Sequence, residues 1–189
     1  MIGRSDGTVS VHRLVQAVTR AETTPDGLDE AVRLLYAALP DDPSHNVAGW
    51  PRWNELLPHI DTVLAHLPRA HDNAAALYIG DRAATYRESQ GQIAEAVAAF
   101  EQLLTDCGRV FGEDHPDTLA ARNNLAGAYR DAGHVTEAVA AFEQLLPDRR
   151  RVLGNDHPDT AAVRDGLAAA REAMDGPDDG SAAHASNWA

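Results

Sequence analysis

The side chains best suited to chemistry in this chain of 189 residues are nine histidines, one cysteine and 29 aspartates and glutamates. His59 and His66 stand seven residues apart, about 10 Å along a helix axis, whereas helical zinc pairs use an i, i+4 spacing. Cys107 has no histidine or lysine nearby in sequence that would lower the pKa of its thiol. These residues predict no metal site, no cofactor and no catalytic centre, so we expect a protein that is not an enzyme.

The charged residues exclude several other classes of function. All sixteen basic residues are arginines, so an intact Walker A loop and Schiff-base chemistry, which both need lysine, are excluded. The formal charge of −13 argues against binding to nucleic acid or to an anionic membrane surface. Met1–Val11 lacks the apolar stretch of a secretory signal and no apolar run could span a membrane, so we expect a cytoplasmic protein.

The chain repeats itself with a period of 42 residues. Residues 91–104 (GQIAEAVAAFEQLL) recur as residues 133–146 (GHVTEAVAAFEQLL), with eleven of fourteen positions identical. Residues 112–118 (GEDHPDT) recur as residues 154–160 (GNDHPDT). A period of this length indicates stacked supersecondary units, each burying its apolar face against the next.

Two polar clusters within the repeats have a structural interpretation. The triplet His115-Pro116-Asp117 and its equivalent at residues 157–159 place proline and an acidic residue where helices begin. The run of three arginines at residues 149–151 stands near a predicted helix C-terminus, where cations interact favourably with the helix dipole. A contact between this run and an acidic partner segment is the alternative.

Apolar residues at helical spacing predict an all-α protein. Two hairpins are expected, residues 72–89 with 93–110 and residues 116–131 with 135–153, followed by a capping helix at residues 158–174. Pro147, inside the last helix of the second hairpin, should kink or restart that helix because proline removes a backbone hydrogen bond. The predicted units are residues 71–112, 113–154 and 155–174.

The flanking regions differ in composition from the repeats. Residues 1–12 alternate around a turn signal and predict a small β-hairpin, and three helices should follow, at residues 12–22, at 28–39 and from Trp50. Residues 1–70 thus form an N-terminal region of a hairpin remnant and linker helices. Residues 175–189 are rich in Gly, Pro, Asp, Ser and Ala and predict a disordered tail.

Residues 72–174 resemble the tetratricopeptide repeat. The resemblance is carried by Leu125-Ala126, Tyr129, Gly133, Ala138 and Phe142. The 42-residue length, the run at residues 123–126 (NNLA) and the link at residues 112–118 look like the kinesin-light-chain type of this repeat. The resemblance implies an α-solenoid of helix-turn-helix hairpins in a right-handed superhelix. The other units depart from the pattern, because Arg87 replaces Tyr129 and because Arg82 and Gly166 replace Asn124.

The N-terminal region has a second resemblance. Residues 8–16 (TVSVHRLVQ) look like the wing strand and following helix of STAND signalling ATPases, and residues 50–66 look like linker helices of that family. In many bacterial members a tetratricopeptide array follows. The resemblance implies a sensor region of a STAND-type switch, acting by self-association or by docking to a separate ATPase.

In tetratricopeptide arrays the first helix of each unit lines a concave groove, which implies a non-catalytic module that binds a peptide or protein segment. Aligned on Leu125-Ala126, the groove candidates of this chain are Asp81, Thr85, Glu88, Asn123, Asn124, Gly127, Arg130, Asp165, Ala169 and Glu172. Their acidic members favour a basic or polar partner, and a solvated helix face is the alternative interpretation. The short array also favours self-association at an open end.

Overall fold

A computed structural model describes residues 25–68 and 73–176, and seven α-helices without strands form the regular structure of these two ranges. The helices are α1 (Pro25–Ala38), α2 (Trp50–His66), α3 (Ala74–Ser89), α4 (Ile93–Phe111), α5 (Pro116–Asp131), α6 (Val135–Leu153) and α7 (Pro158–Asp175), with a 3-10 turn at Val47–Gly49. The predicted hairpin at residues 1–12, the helix at residues 12–22 and the tail beyond residue 176 lie outside the described residues.

The helices pack in chain order as a row of hairpins. α3 pairs with α4 and α5 with α6, while α7 packs on α6. The predicted boundaries of α3 to α7 agree with the structure to within two residues. α1 begins three residues earlier than predicted, because Pro25 stands at its first position, where a missing backbone N–H costs nothing.

The His-Pro-Asp triplets are helix starts, as their sequence predicts. The Nδ1 atoms of His115 and His157 each accept a hydrogen bond, both 3.2 Å long, from the backbone N–H of Asp117 and Asp159. Each bond satisfies one of the free N–H groups at a helix N-terminus. The histidines therefore cap α5 and α7.

A kink or a restart was predicted at Pro147, and the restart is wrong, since α6 continues through this residue to Leu153. The missing N–H of Pro147 would have bonded the carbonyl of Glu143, and both residues are exposed. Because water can bond that carbonyl, the helix tolerates the proline on its solvent side.

Three apolar cores lie between the successive helices. The first core joins α1 and α2 to α3, with Trp53 stacked on Tyr86 at a centroid distance of 5.4 Å. The second core lies among α3, α4 and α5 around Phe100, and the third among α5, α6 and α7 around Phe142. α3 and α5 each contribute to two cores, so these two helices are held from both sides.

One polar position recurs on α3, α5 and α7, termed here the inner helices, each of which packs on a preceding outer helix, α2, α4 or α6. The Tyr129 hydroxyl donates to Glu101 Oε1 at 2.8 Å, and 42 residues later Arg171 donates to the equivalent Glu143 at 2.7 Å. Arg87, at the same position of α3, pairs with Asp61 of α2. The departure of Arg87 from the repeat pattern thus retains a polar contact with the preceding outer helix.

α7 approaches α6 closely at Gly166. A Cβ atom at this residue would lie 2.7 Å from Cζ of the buried Phe142 ring. At Gly127 of α5 a Cβ atom would meet nothing within 4 Å. Packing therefore requires a glycine at residue 166 but not at residue 127.

We expect His157→Ala to lower the free energy of unfolding by about 1 kcal/mol, because the N–H of Asp159 loses its acceptor. His157→Asn should retain most of the stability, since asparagine also caps helices. Urea unfolding followed by circular dichroism measures both variants. Equal losses for Ala and Asn would contradict a capping role.

We expect Gly127→Ala and Gly166→Ala to change stability in opposite directions. Alanine is favoured over glycine within a helix by about 1 kcal/mol, and Gly127→Ala should gain this amount. Gly166→Ala forces a contact with Phe142, and overpacking costs about 1–3 kcal/mol, so this variant should be less stable. The same urea experiment decides, and a stabilised Gly166→Ala would contradict the close contact.

Candidate functional site

The inner helices form an open cavity of about 400 Å³, termed here the groove cavity. It lies among α3, α5, α6 and α7 and is lined by Glu88, Asn123, Asn124, Gly127, Arg130, Asp131, Phe142, Ala162, Asp165 and Gly166. Six of the predicted groove residues meet here, namely Glu88, Asn123, Asn124, Gly127, Arg130 and Asp165. The groove alignment alone did not include Asp131, Phe142, Ala162 or Gly166.

The other predicted residues lie apart from this cavity. The Thr85 hydroxyl donates to the backbone carbonyl of Asp81 at 2.9 Å, within its own helix. Glu172 is exposed near the end of α7, and Ala169 is half-buried there. Asp81 lines a second cavity, of about 290 Å³.

Asp81 and Asn124 bind each other across the interface of α3 and α5. Asn124 Nδ2 donates to Asp81 Oδ1 at 2.8 Å, and Arg82 Nε lies 3.5 Å from the other carboxylate oxygen. Burial raises the pKa of Asp81, while the Arg82 charge and the Asn124 hydrogen bond oppose the rise. This contact, the Asp81–Asn124 bridge, stands between the two cavities because Asn124 lines both.

The equivalent bridge is missing one repeat later. Asn123 stands 42 residues after Asp81, and Gly166 stands 42 residues after Asn124. Because Gly166 has no side chain to donate, Asn123 Oδ1 is buried without a hydrogen-bond partner. An unpaired buried acceptor costs about 1–3 kcal/mol. Asn123 also lines the groove cavity, and an asparagine amide can accept as well as donate a hydrogen bond.

The groove cavity has an acidic lining. Glu88, Asp131 and Asp165 line it together with a single cationic residue, Arg130, which pairs with Asp131 at 2.8 Å. The pKa of Glu88 is raised by burial first, and then by the neighbouring charges of Asp131 and Asp81. A bound cation would relieve this repulsion between carboxylates.

The second cavity, termed here the Cys107 cavity, lies among α3, α4 and α5. It is lined by Leu77, Tyr78, Asp81, Arg82, Leu103, Cys107, Phe111, Asp117, Ala120, Ala121 and Asn124. Burial, with added repulsion from Asp117 and Asp81, raises the pKa of the Cys107 thiol to about 11. The thiol is therefore protonated at neutral pH and is a weak nucleophile.

Two of the three arginines at residues 149–151 form ion pairs within the chain. Arg149 is buried and donates to Asp159 at 3.0 Å. Arg151 binds both carboxylate oxygens of Asp114 and also contacts Asp148. These contacts join α6 to the start of α7 and to the loop before α5. Of the three arginines, only Arg150 lies outside these ion pairs and could contact an acidic partner segment.

Within residues 25–68 and 73–176, no three His, Cys, Asp or Glu side chains are grouped closely enough to hold a metal ion. None of the helices in these ranges is long and apolar enough to cross a bilayer.

Solved structures with the same arrangement of helices are similar to this chain. A Podosopora anserina protein assigned as a kinesin light chain, with nearly identical TPR-like repeats, has 24% identity and a TM-score of 0.57, covering 89% of this chain and 90% of that one. A point variant of that protein has 25% identity and a TM-score of 0.58, covering 89% of each chain. BtubC (BKLC) from P. vanneervenii has 16% identity and a TM-score of 0.59, covering 89% of this chain and 85% of that one.

Sequence comparison points to the same fold. No curated protein matches the chain significantly. Residues 72–150, however, match the tetratricopeptide repeat family, and these residues contain α3 to α5 and most of α6. The described helices therefore form a solenoid of the tetratricopeptide-repeat type, with the matched repeats in residues 72–150.

Proposed function

We propose that this chain is a protein-binding module that holds an extended segment of a partner protein in the groove between α3, α5 and α7. The observation that carries the proposal is the groove cavity, where six predicted groove residues lie together around open space. Tetratricopeptide solenoids commonly mediate protein–protein interaction and are typically non-catalytic scaffolds.

The lining of the cavity supports a polar or basic partner segment. Asn123 lines the cavity with an amide that can donate and accept hydrogen bonds, and Glu88 and Asp165 add negative charge. Gly127 leaves the floor of the cavity open, since nothing lies within 4 Å of a Cβ atom there. Because the groove spans few repeats, micromolar affinity is expected.

Self-association at the end of the array has less support. Val163, Leu167 and Ala170 of α7 are buried in the third core, whereas Arg164 and Arg171 are exposed. This polar outer surface is typical of a capping helix, which closes an array.

A regulatory role as the sensor region of a STAND-type switch is a second candidate. The observation that favours it is the first core, where α1 and α2 cover the apolar face of α3. The Tyr86 hydroxyl also donates to Asn54 of α2 at 3.0 Å. Deletion of residues 1–70 should abolish association with a separate ATPase, measured by co-purification, and unchanged association would contradict this role.

Gly127→Leu tests the groove directly. We expect random 12-residue peptides, selected by display on the full chain, to bind this variant at least about tenfold more weakly, a loss of about 1.4 kcal/mol, because leucine fills the cavity. Fluorescence polarisation with labelled peptides measures the affinities.

Gly127→Ala is the matched control and should bind the same peptides with unchanged affinity, since a methyl group leaves the cavity open. Selected peptides that bind Gly127→Leu as tightly as the wild type would place the binding surface elsewhere. A selection that yields no binder would also count against the proposal.

A further inference from the structure

The two repeats differ at one buried position. Arg149 of α6 is only 4% exposed, and its Nη1 atom donates to Asp159 Oδ2, at the start of α7, at 3.0 Å. Burial lowers the pKa of this guanidinium, while the charge of Asp159 opposes the change. One repeat earlier, Cys107 occupies the position of Arg149 and Asp117 that of Asp159. The first repeat thus has the carboxylate of this ion pair but not its arginine.

The space that an arginine would fill is open in the first repeat. Cys107 and Asp117 both line the Cys107 cavity of about 290 Å³, and cysteine is several atoms shorter than arginine. Leu77, Leu103 and Phe111 provide apolar walls, against which the methylene stem of an arginine can pack.

The charges around the cavity leave Asp117 without a cationic partner among the described residues. Asn124 donates to one carboxylate oxygen of Asp81, and Arg82 Nε lies 3.5 Å from the other. His115 Nδ1 lies 3.7 Å from Asp117 Oδ2, but it accepts the N–H of Asp117 and so presents a lone pair rather than a proton. With Arg82 as the single cation, the lining has one excess negative charge.

We propose that the Cys107 cavity binds the guanidinium group of an arginine from a partner protein, with Asp117 as its counter-ion. The partner's arginine would take the place that Arg149 has in the second repeat. Arginine fits better than lysine because its planar fork can bond a carboxylate through two N–H groups. This inference rests on the proposed function, since the partner that supplies the arginine is the one held in the groove. The Cys107 cavity adjoins the groove cavity at the Asp81–Asn124 bridge.

NMR titration of the full ¹⁵N-labelled chain tests the site, with N-acetyl-arginine methylamide as the probe. Shift changes should be confined to residues around Cys107, Asp117 and Asn124. The citrulline analogue, a neutral molecule of the same shape, should bind about tenfold more weakly, because it lacks the charge that makes such hydrogen bonds strong. Equal binding of the two probes, or shift changes centred elsewhere, would overturn the proposal.

Asp117→Asn should weaken binding of the arginine probe about fivefold or more, the effect of losing roughly 1 kcal/mol. Asp156→Asn is the matched control, because it removes the same charge from an exposed loop residue outside the cavity. The control should bind like the wild type. Equal affinities of Asp117→Asn and Asp156→Asn would refute the role of Asp117.

Cys107→Arg supplies the guanidinium from within the chain and should abolish binding of the probe while the remaining amide signals are preserved. If this variant does not fold, Asp117→Asn decides the matter. The selected groove peptides separate the two proposals. If Gly127→Leu lowers their affinity, but they bind without an arginine and are unaffected by Asp117→Asn, the arginine site is overturned. The groove proposal stays intact in that case.

Discussion

The solenoid depends on close contact between the two helices of each hairpin, which an alanine makes possible. Ala84 of α3 and Ala126 of α5 stand 42 residues apart, and both are 0% exposed. Each shares a core with a second alanine and a phenylalanine from the paired outer helix, Phe100 or Phe142. A methyl group lets the backbones approach, and the phenylalanine ring fills the space beside them. With the inner helices held in this way, residues at equivalent positions share one face.

Around this apolar contact, equivalent polar positions of the repeats carry different residue types but make the same contact. Tyr129 and Arg171 are chemically different, but each donates a hydrogen bond to a glutamate of the preceding outer helix. Their acceptors, Glu101 and Glu143, are themselves related by the repeat period. Such pairs lie at the surface, and each contributes little to the stability of the whole.

The period of 42 residues was sufficient to predict the repeat helices, because each apolar stripe recurs and because α5 and α7 begin at capping histidines. It was insufficient where an outcome depends on solvent. The apolar stripe of α6 places Pro147 away from the core, but the predicted restart did not allow for water bonding the carbonyl that the proline leaves free, and α6 continues through this residue. Alignment also placed Asp81 and Asn124 in the groove but could not show that they bind each other. Asp131 and Phe142 enter the groove cavity from positions that the alignment did not consider.

The groove cavity and the Cys107 cavity both lie where the repetition is imperfect. A perfect repeat would place an asparagine amide at Gly166, within reach of Asn123, and an arginine at Cys107, within reach of Asp117. The equivalent contacts exist elsewhere in the chain, as the Asp81–Asn124 bridge and the Arg149–Asp159 pair. Each exchange to a smaller residue leaves the equivalent polar group, Asn123 or Asp117, without that contact inside the chain and beside a cavity. On the proposed function, these two departures from the repeat are the positions that a partner segment would contact.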